Sequence, residues 1–330
     1  MLIGAIDIGG TKTVVGCVDS SGQIFTERGF KTEGADVYAH LAKCADVYKE
    51  CASECAAKGF GQAAGVGVAL PGMVDKAREK LDNAVFSGWR DVWARELFQQ
   101  LLGIDKVYIE NDVNACAIGE LRFGAGKRRV NTGIAGRGPG PGYDDFIWAT
   151  VSTGVGGAIV SGGKLVEGRD NFAGELGHVK VEYDAPELCP CGQYGCLEAH
   201  GSGSAITRET ARLARNRPEF AALLAARGLA PDSIGCAALA RAGSPEAIAI
   251  FRRAGVYLGR GFAYAVNLLN PQAVIIGGGV ADSFELIEGA IKDTLKTCAD
   301  APLAGVDIVK TALGYRAALL GAAALALNNI

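Results

Sequence analysis

The sequence predicts an α/β fold built from two related halves. Three observations carry that prediction. Strand-like and helix-like stretches alternate along most of the chain, which is the pattern of α/β layers. Two segments, Ile3–Val18 and Phe146–Val160, share one design: a β-rich run, a tight turn with Gly and Thr, and a second β-rich run. Finally, His178, Cys189, Cys191 and Cys196 fall close together among Gly and Pro turns. That spacing makes a poor packing stripe and a good zinc knuckle.

The elements follow in order. Ile3–Ile8 is a strand. Asp36–Lys58 is helical, with Cys44, Cys51, Cys55 and Tyr48 on one apolar face. Gly65–Leu70 is a strand that ends at Pro71-Gly72. Asp91–Leu102 is expected as a helix with Asp91 as its N-cap. Lys106–Glu110 is a strand running into Asn111-Asp112, and Asn114–Phe123 is helical. Lys127–Asp145 is too rich in Gly and Pro for a regular element and reads as an exposed loop. Beyond the knuckle come helices over roughly 203–265, a strand at Ala273–Ile276, a turn at Gly277-Gly278-Gly279 and a helix over 282–297. A strand at Val306–Lys310 and a final helix close the chain.

Composition narrows the function classes. A length of 330 residues suits about two domains, and 49% hydrophobic with 21% charged residues is ordinary for a globular protein. The net charge of −3 leaves no electrostatic footprint for nucleic acid. The apolar run at 317–327 is too short to span a bilayer, so it reads as a buried helix and no membrane association is expected. Met1 leads straight into a strand with no export signal, so the 10 cysteines are expected reduced in the cytoplasm. Zinc is therefore favoured over a disulfide. One imidazole and three thiolates close a tetrahedral site, which leaves Glu175 and Glu198 free to hold something else.

Asp7 ends a buried strand, where an unpaired charge is costly and a metal ion would relieve the cost. Gly9 and Gly10 free backbone N–H groups for phosphate oxygens, and Thr11 and Lys12 add donors. Thr153, Gly154 and Gly156 belong to a second nest of the same kind. Gly277, Gly278 and Gly279 offer a third, flat surface suited to a nucleotide's sugar or base. One glycine turn is usually a hairpin; three in one α/β chain point to a nucleoside triphosphate. Neither the P-loop nor the Rossmann spacing occurs, so the phosphate site is built on hairpins. Asp112 lies just past a strand end and reads either as a general base or as a helix N-cap.

These motifs resemble the ROK family, the bacterial repressor–ORF–kinase group with the actin/hexokinase-like (ribonuclease H-like) fold. The resemblance runs through Asp7-Ile-Gly-Gly-Thr-Lys, Leu70-Pro-Gly-Met-Val-Asp, Glu110-Asn-Asp-Val-Asn-Ala, Ser152-Thr-Gly-Val-Gly-Gly, Gly174-Glu-Leu-Gly-His and the cysteine-rich run to Glu198. It implies a two-lobe sugar kinase, glucokinase-like, using Mg-ATP and a structural zinc. Asp112 then matches the catalytic base, and Asn111, Glu175, His178 and Glu198 match residues that hold sugar hydroxyls. Gly72 and Asn83 match further sugar positions, and Asp7 lies near the magnesium. The small lobe is expected over 1–113 plus 315–330, and the larger, zinc-bearing lobe over 114–314. A homodimer or a dimer of dimers built on that larger lobe is implied as well. The rivals are a kinase for fructose, mannose, allose, N-acetylmannosamine or N-acetylglucosamine, a non-catalytic sugar-binding protein, and a repressor of the same family. Lys127–Asp145 looks longer than the family connection, and Leu81–Trp89 matches it loosely.

Overall fold

The computed structural model describes residues 1–34, 36–84, 88–127 and 142–330. Most of the expected Lys127–Asp145 loop, and part of the Leu81–Trp89 segment, lie outside the described residues. The chain divides into two compact units. The first comprises Met1–Asp144, Ile159–Ala173 and Ala312–Ile330; the second comprises Asp145–Ala158 and Gly174–Thr311.

The first unit opens with strands β1 (Leu2–Ile8), β2 (Lys12–Asp19), β3 (Ile24–Lys31) and β4 (Val66–Leu70). Three short strands follow, β5 (Met73–Val74), β6 (Leu81–Ala84) and β7 (Trp89–Val92), and then β8 (Val107–Asn111). The main sheet has the order β3-β2-β1-β4-β8, and β5-β6-β7 form a small separate sheet. β1 pairs antiparallel with β2 and parallel with β4, which is itself parallel to β8. The sheet interior is apolar on both faces because helices cover both. α1 (Val37–Ala57) lies on one side, and the C-terminal α10 (Ala317–Asn329) packs against β1 and β4. The edge strand β3 alternates instead and carries exposed charge, which discourages further pairing.

Helix α1 is capped by Asp36, and its Cys44, Tyr48, Cys51 and Cys55 all enter the core, as the spacing predicts. The expected Asp91 cap is wrong. Residues 89–92 pair with β6, so helix α2 (Ala94–Leu102) starts later, with Trp93 at its N-cap position. Asp91 sits at φ +51 in β7 and ion-pairs with Lys80 at 3.0 Å. The expectation placed residues 114–144 with the larger lobe. Helix α3 (Asp112–Phe123) instead packs on α10 and so belongs to the first unit. Gly321 permits that approach, since a Cβ there would lie 2.0 Å from the Ala115 carbonyl oxygen.

In the second unit, β9 (Phe146–Val151) leads to β10 (Val155–Ser161), which runs on into the first unit with β11 (Lys164–Leu165). Helices α4 (Leu197–Gly201), α5 (Gly203–Asn216), α6 (Pro218–Ala225), α7 (Ser233–Arg241) and α8 (Pro245–Leu269) follow. Strand β12 (Ala273–Gly277), helix α9 (Phe284–Cys298) and strand β13 (Asp307–Lys310) complete it. The sheet order is β11-β10-β9-β12-β13, with β9, β12 and β13 parallel. This is the first sheet's order again, so the duplication legible in the two glycine-turn segments extends to whole sheets. α8 packs on α9, with Phe251, Leu258, Phe262, Ile291 and Leu295 buried. Among the described residues, no single helix is long and apolar enough to cross a membrane.

Candidate active site

In open parallel sheets, ligands bind at the carboxyl ends of the strands. In the first unit those ends carry the acidic candidates. Asp7 pairs in register with Ala69, and Leu70 with Asn111, so β1, β4 and β8 deliver Asp7, Pro71-Gly72 and Asn111-Asp112 in one row. Asn111 is the N-cap of α3: its side-chain oxygen accepts from the N–H groups of Val113 and Asn114 at 2.9 and 3.1 Å. The cap role weighed for Asp112 therefore belongs to its neighbour, and Asp112 is the first helical residue. The Asn111 amide nitrogen donates to the Gly72 carbonyl at 2.8 Å and reaches the Asp112 carboxylate at 3.2 Å. Gly72 has φ +133, and a Cβ there would lie 2.3 Å from the Asn83 carbonyl oxygen. Gly72, Asn83, Asn111 and Asp112 are thus one local group.

Asp7 stands apart electrostatically. Although part of it reaches the surface, burial of its carboxyl, reinforced by the charge of Asp112 and opposed by Lys12, pushes its pKa up to about 8. An acid held in that state gains most from a cation beside it, so the donor fits a magnesium position. The turn Gly9–Lys12 is closed by the Gly9 N–H donating to the Lys12 carbonyl at 3.0 Å. Behind it lies a buried network with no signal in the local sequence. The Thr32 hydroxyl donates to the Gly9 carbonyl at 2.8 Å, and Thr13 bridges Thr32 and His40 at 2.9 Å each. Burial, aided by Lys43, lowers the His40 pKa, which keeps this residue a neutral structural partner.

The second unit presents backbone where the first presents carboxylates. Ser152 and Thr153 are exposed in the β9–β10 turn, and Gly156 lies just inside β10. The first N–H groups of α5 are turned onto this loop: Gly203 donates to the Ser152 carbonyl at 2.7 Å and Ser204 to that of Thr153 at 3.3 Å. Gly277 pairs in register with Thr150, so the Gly277–Gly279 turn lies beside the Ser152–Gly154 turn. Glu198 braces the same loop, with its carboxylate accepting the Val155 N–H at 3.0 Å. A Cβ on Gly154 would lie 2.2 Å from that carboxylate.

The four knuckle donors converge. The ligand atoms of His178, Cys189, Cys191 and Cys196 all lie within 4.8 Å of one another. Cys189 Sγ is 3.8 Å from His178 Nδ1, and the sulfurs of Cys191 and Cys196 are 3.7 Å apart. A tetrahedron with metal–sulfur bonds of about 2.3 Å has edges of about 3.8 Å, so the donor set fits zinc. All 10 cysteines are free thiols. Lys180 Nζ lies 3.3 Å from Cys196 Sγ, which places a cation beside the donor set. Burial raises the Cys191 pKa, but the Gln193 N–H and the neighbouring thiols outweigh it, and the net shift is downward. With Nδ1 facing the cluster, His178 Nε2 faces the Glu175 carboxylate at 3.7 Å. Glu198 touches the cluster too, 3.6 Å from Cys189 Sγ. The knuckle, Glu175 and Glu198 therefore form one group in the second unit.

The profile of the ROK family matches residues 3–329. The chain belongs to the ROK family. It is 34% identical to a glucokinase of Streptomyces coelicolor over 97% of this chain and 96% of that one. It is 32% identical to a glucokinase of Thermotoga maritima, covering 100% of this chain and 98% of that one. Among solved structures, a ROK glucokinase of Streptomyces griseus in complex with glucose and AMPPNP superposes with a TM-score of 0.81 at 33% identity, over 99% of this chain and 100% of that one. The ROK assignment and the actin/hexokinase-like architecture expected from the motifs both hold.

Sequence reasoning missed one further group. Glu110 is wholly buried one residue ahead of Asn111, and it binds Arg78 and Asn171. Glu110 stands inside a recognised motif. Arg78 and Asn171 carry no local signal, because only the folded backbone shows where they point.

Proposed function

We propose that this protein phosphorylates an aldohexose with Mg-ATP, and that the substrate is glucose, taken at its 6-hydroxyl. The chain is a sugar phosphotransferase of the ROK family; the choice of sugar and the roles below are the proposal. The observation that carries it is the row of Asp7, Gly72 and Asn111-Asp112 at the ends of three parallel strands. The near end-to-end similarity to two glucokinases supports glucose over the other hexoses and hexosamines.

Phosphoryl transfer passes through a loose transition state, so positioning and charge neutralisation supply most of the catalysis. Asp112 accepts the proton of the attacking hydroxyl. Its neighbour Asn111 holds a sugar hydroxyl, as do Glu175, His178 and Glu198, with Gly72 and Asn83 shaping the pocket. Asp7 would hold the magnesium of Mg-ATP, which would supply neutralisation of phosphate charge. Gly9, Gly10, Thr11 and Lys12, and Thr153, Gly154 and Gly156, offer N–H and side-chain donors to the phosphates. Gly277, Gly278 and Gly279 face the adenosine. His178, Cys189, Cys191 and Cys196 would hold a zinc ion, which would fix the imidazole with its Nε2 toward Glu175. We further propose a cytoplasmic homodimer, a setting in which the thiols stay reduced.

The test is an ADP-release assay with Mg-ATP across hexoses and N-acetylhexosamines, with zinc measured on the same sample. Turnover that prefers glucose supports the proposal. Preference for another sugar replaces the substrate, and sugar binding without turnover supports the non-catalytic reading.

A further inference from the structure

Glu110 sits at the end of β8, with no surface exposure. Both of its oxygens are occupied. One accepts from the Asn111 N–H at 2.8 Å, from Asn171 Nδ2 at 2.9 Å and from Asn114 Nδ2 at 3.2 Å. The other accepts from Arg78 Nε at 2.8 Å. Arg78 is fixed in turn by Glu167, at 2.6 Å, and Asn171 Nδ2 also reaches the Val74 carbonyl at 3.3 Å.

The backbones of the two partners are unusual. Arg78 has φ +55 and Asn171 has φ +70. Glycine would take either position without steric cost, whereas a side chain there is strained, arginine more than asparagine. Both strained residues send their side chains to one carboxylate. Strain that a surrounding structure maintains is a mark of function. A charge buried only to stabilise the core is also weakly motivated, since an apolar replacement often serves as well. What Glu110 touches besides its two partners is the backbone N–H of Asn111 and the side chain of Asn114, the two sides of Asp112.

We propose that Arg78, Glu110 and Asn171 form a positioning device that fixes the strand-to-helix turn carrying Asn111 and Asp112. None of the three touches the reacting atoms. Arg78 pins Glu110 from the loop after β5, and Asn171 pins it from the segment after β11. Glu110 then holds the Asn111 N–H, so the direction of the first turn of α3 is set from behind. The inference deepens the proposed kinase reading, because Asp112 is the general base in that reading.

The test uses Asn171→Gly and Arg78→Gly in the full chain. Each removes a contact to Glu110 and relieves backbone strain at once. Asn171→Gly, which takes away a neutral partner, changes the melting temperature little, whereas Arg78→Gly leaves the buried carboxylate without its cation and lowers it. Amide exchange over residues 110–116 is expected to accelerate about tenfold in both, with the rest of the first unit unchanged. With glucose and Mg-ATP, kcat falls about tenfold while the calorimetric Kd for the sugar changes little, because small misplacements of a reacting group act mainly on the chemical step. Arg78→Lys, which retains the cation without the planar fork, recovers part of the loss. Unchanged exchange over 110–116 overturns the inference whether or not the protein turns over glucose. Faster exchange with wild-type kcat also overturns it, since the turn then needs no fixing for catalysis. A wild-type protein that turns over no sugar removes the kinase reading instead, and the exchange result still decides whether the device holds the turn.

Discussion

The two main sheets share one strand order and one set of directions, and they end differently. In the first, β1, β4 and β8 run parallel and finish at Asp7, Leu70 and Asn111, next to Asp112. In the second, β9, β12 and β13 run parallel and finish at Val151, Gly277 and Lys310. Aligned by their turns, Asp7 stands where the second sheet has Thr150. One scaffold thus hosts two chemistries. The first sheet concentrates carboxylates, which hold cations and accept protons. The second exposes glycine and hydroxyl turns, which donate N–H and O–H groups. The proposed zinc knuckle also belongs to the second unit, where the segment between β10 and α4 has little regular structure of its own.

The contrast can be broken at its sharpest point. Asp112→Asn removes the proposed proton acceptor and leaves the cap of α3 in place, since Asn111 makes it. The expected loss in kcat is about 10³-fold, within the range for general base catalysis, with zinc content and melting temperature retained. Wild-type turnover in that variant would mean that the acidic sheet end is not the catalytic one.

Removing the metal proposed for the knuckle tests the second unit as a structure. Chelation, or Cys189→Ala, should lower the melting temperature by roughly 10 °C, at about 2–4 °C per kcal/mol for a unit of this size. Unchanged melting would show that hydrogen bonds alone hold the loop. Gly154→Ala tests the backbone nest, because the new methyl would meet the Glu198 carboxylate at 2.2 Å. An order-of-magnitude loss in kcat/KM for ATP is expected. Gly59→Ala, where nothing lies within 4 Å, measures the cost of a glycine at φ +88 alone.

The last test concerns pH. Asp7 titrates near 8 in the fold against an ordinary value of 3.8, so its folded form binds the proton more tightly than its unfolded form. In metal-free protein it therefore costs stability progressively as pH rises from about 4 to about 8, and no further above that. Asp7→Asn should raise the melting temperature clearly at pH 8 and hardly at all at pH 4. With Mg-ATP present the order should reverse. Parallel melting curves at every pH would show that Asp7 is not held in the protonated state.

Sequence determined a good deal by itself. The candidate zinc donors, the glycine turns and Asn111-Asp112 are local motifs, so the chemistry they suit could be read without a fold. The duplicated halves were legible because strand and turn patterns are short-ranged. Other features depended on which strands pair. Asp91 looked like a helix cap until pairing with β6 took its residues. Asp112 could not be told from a cap until Asn111 was seen to occupy that role. Helix α3 joined the first unit because Gly321 lets α10 approach its backbone closely. Arg78 and Asn171 lie far apart in the chain, and neither marks itself. They reach Glu110 through left-handed backbone conformations and long-range packing, and neither a dihedral angle nor a distant contact is written in local residue order. The chemical groups of this protein were thus set by its sequence, and what holds each of them in place was decided only by the tertiary structure.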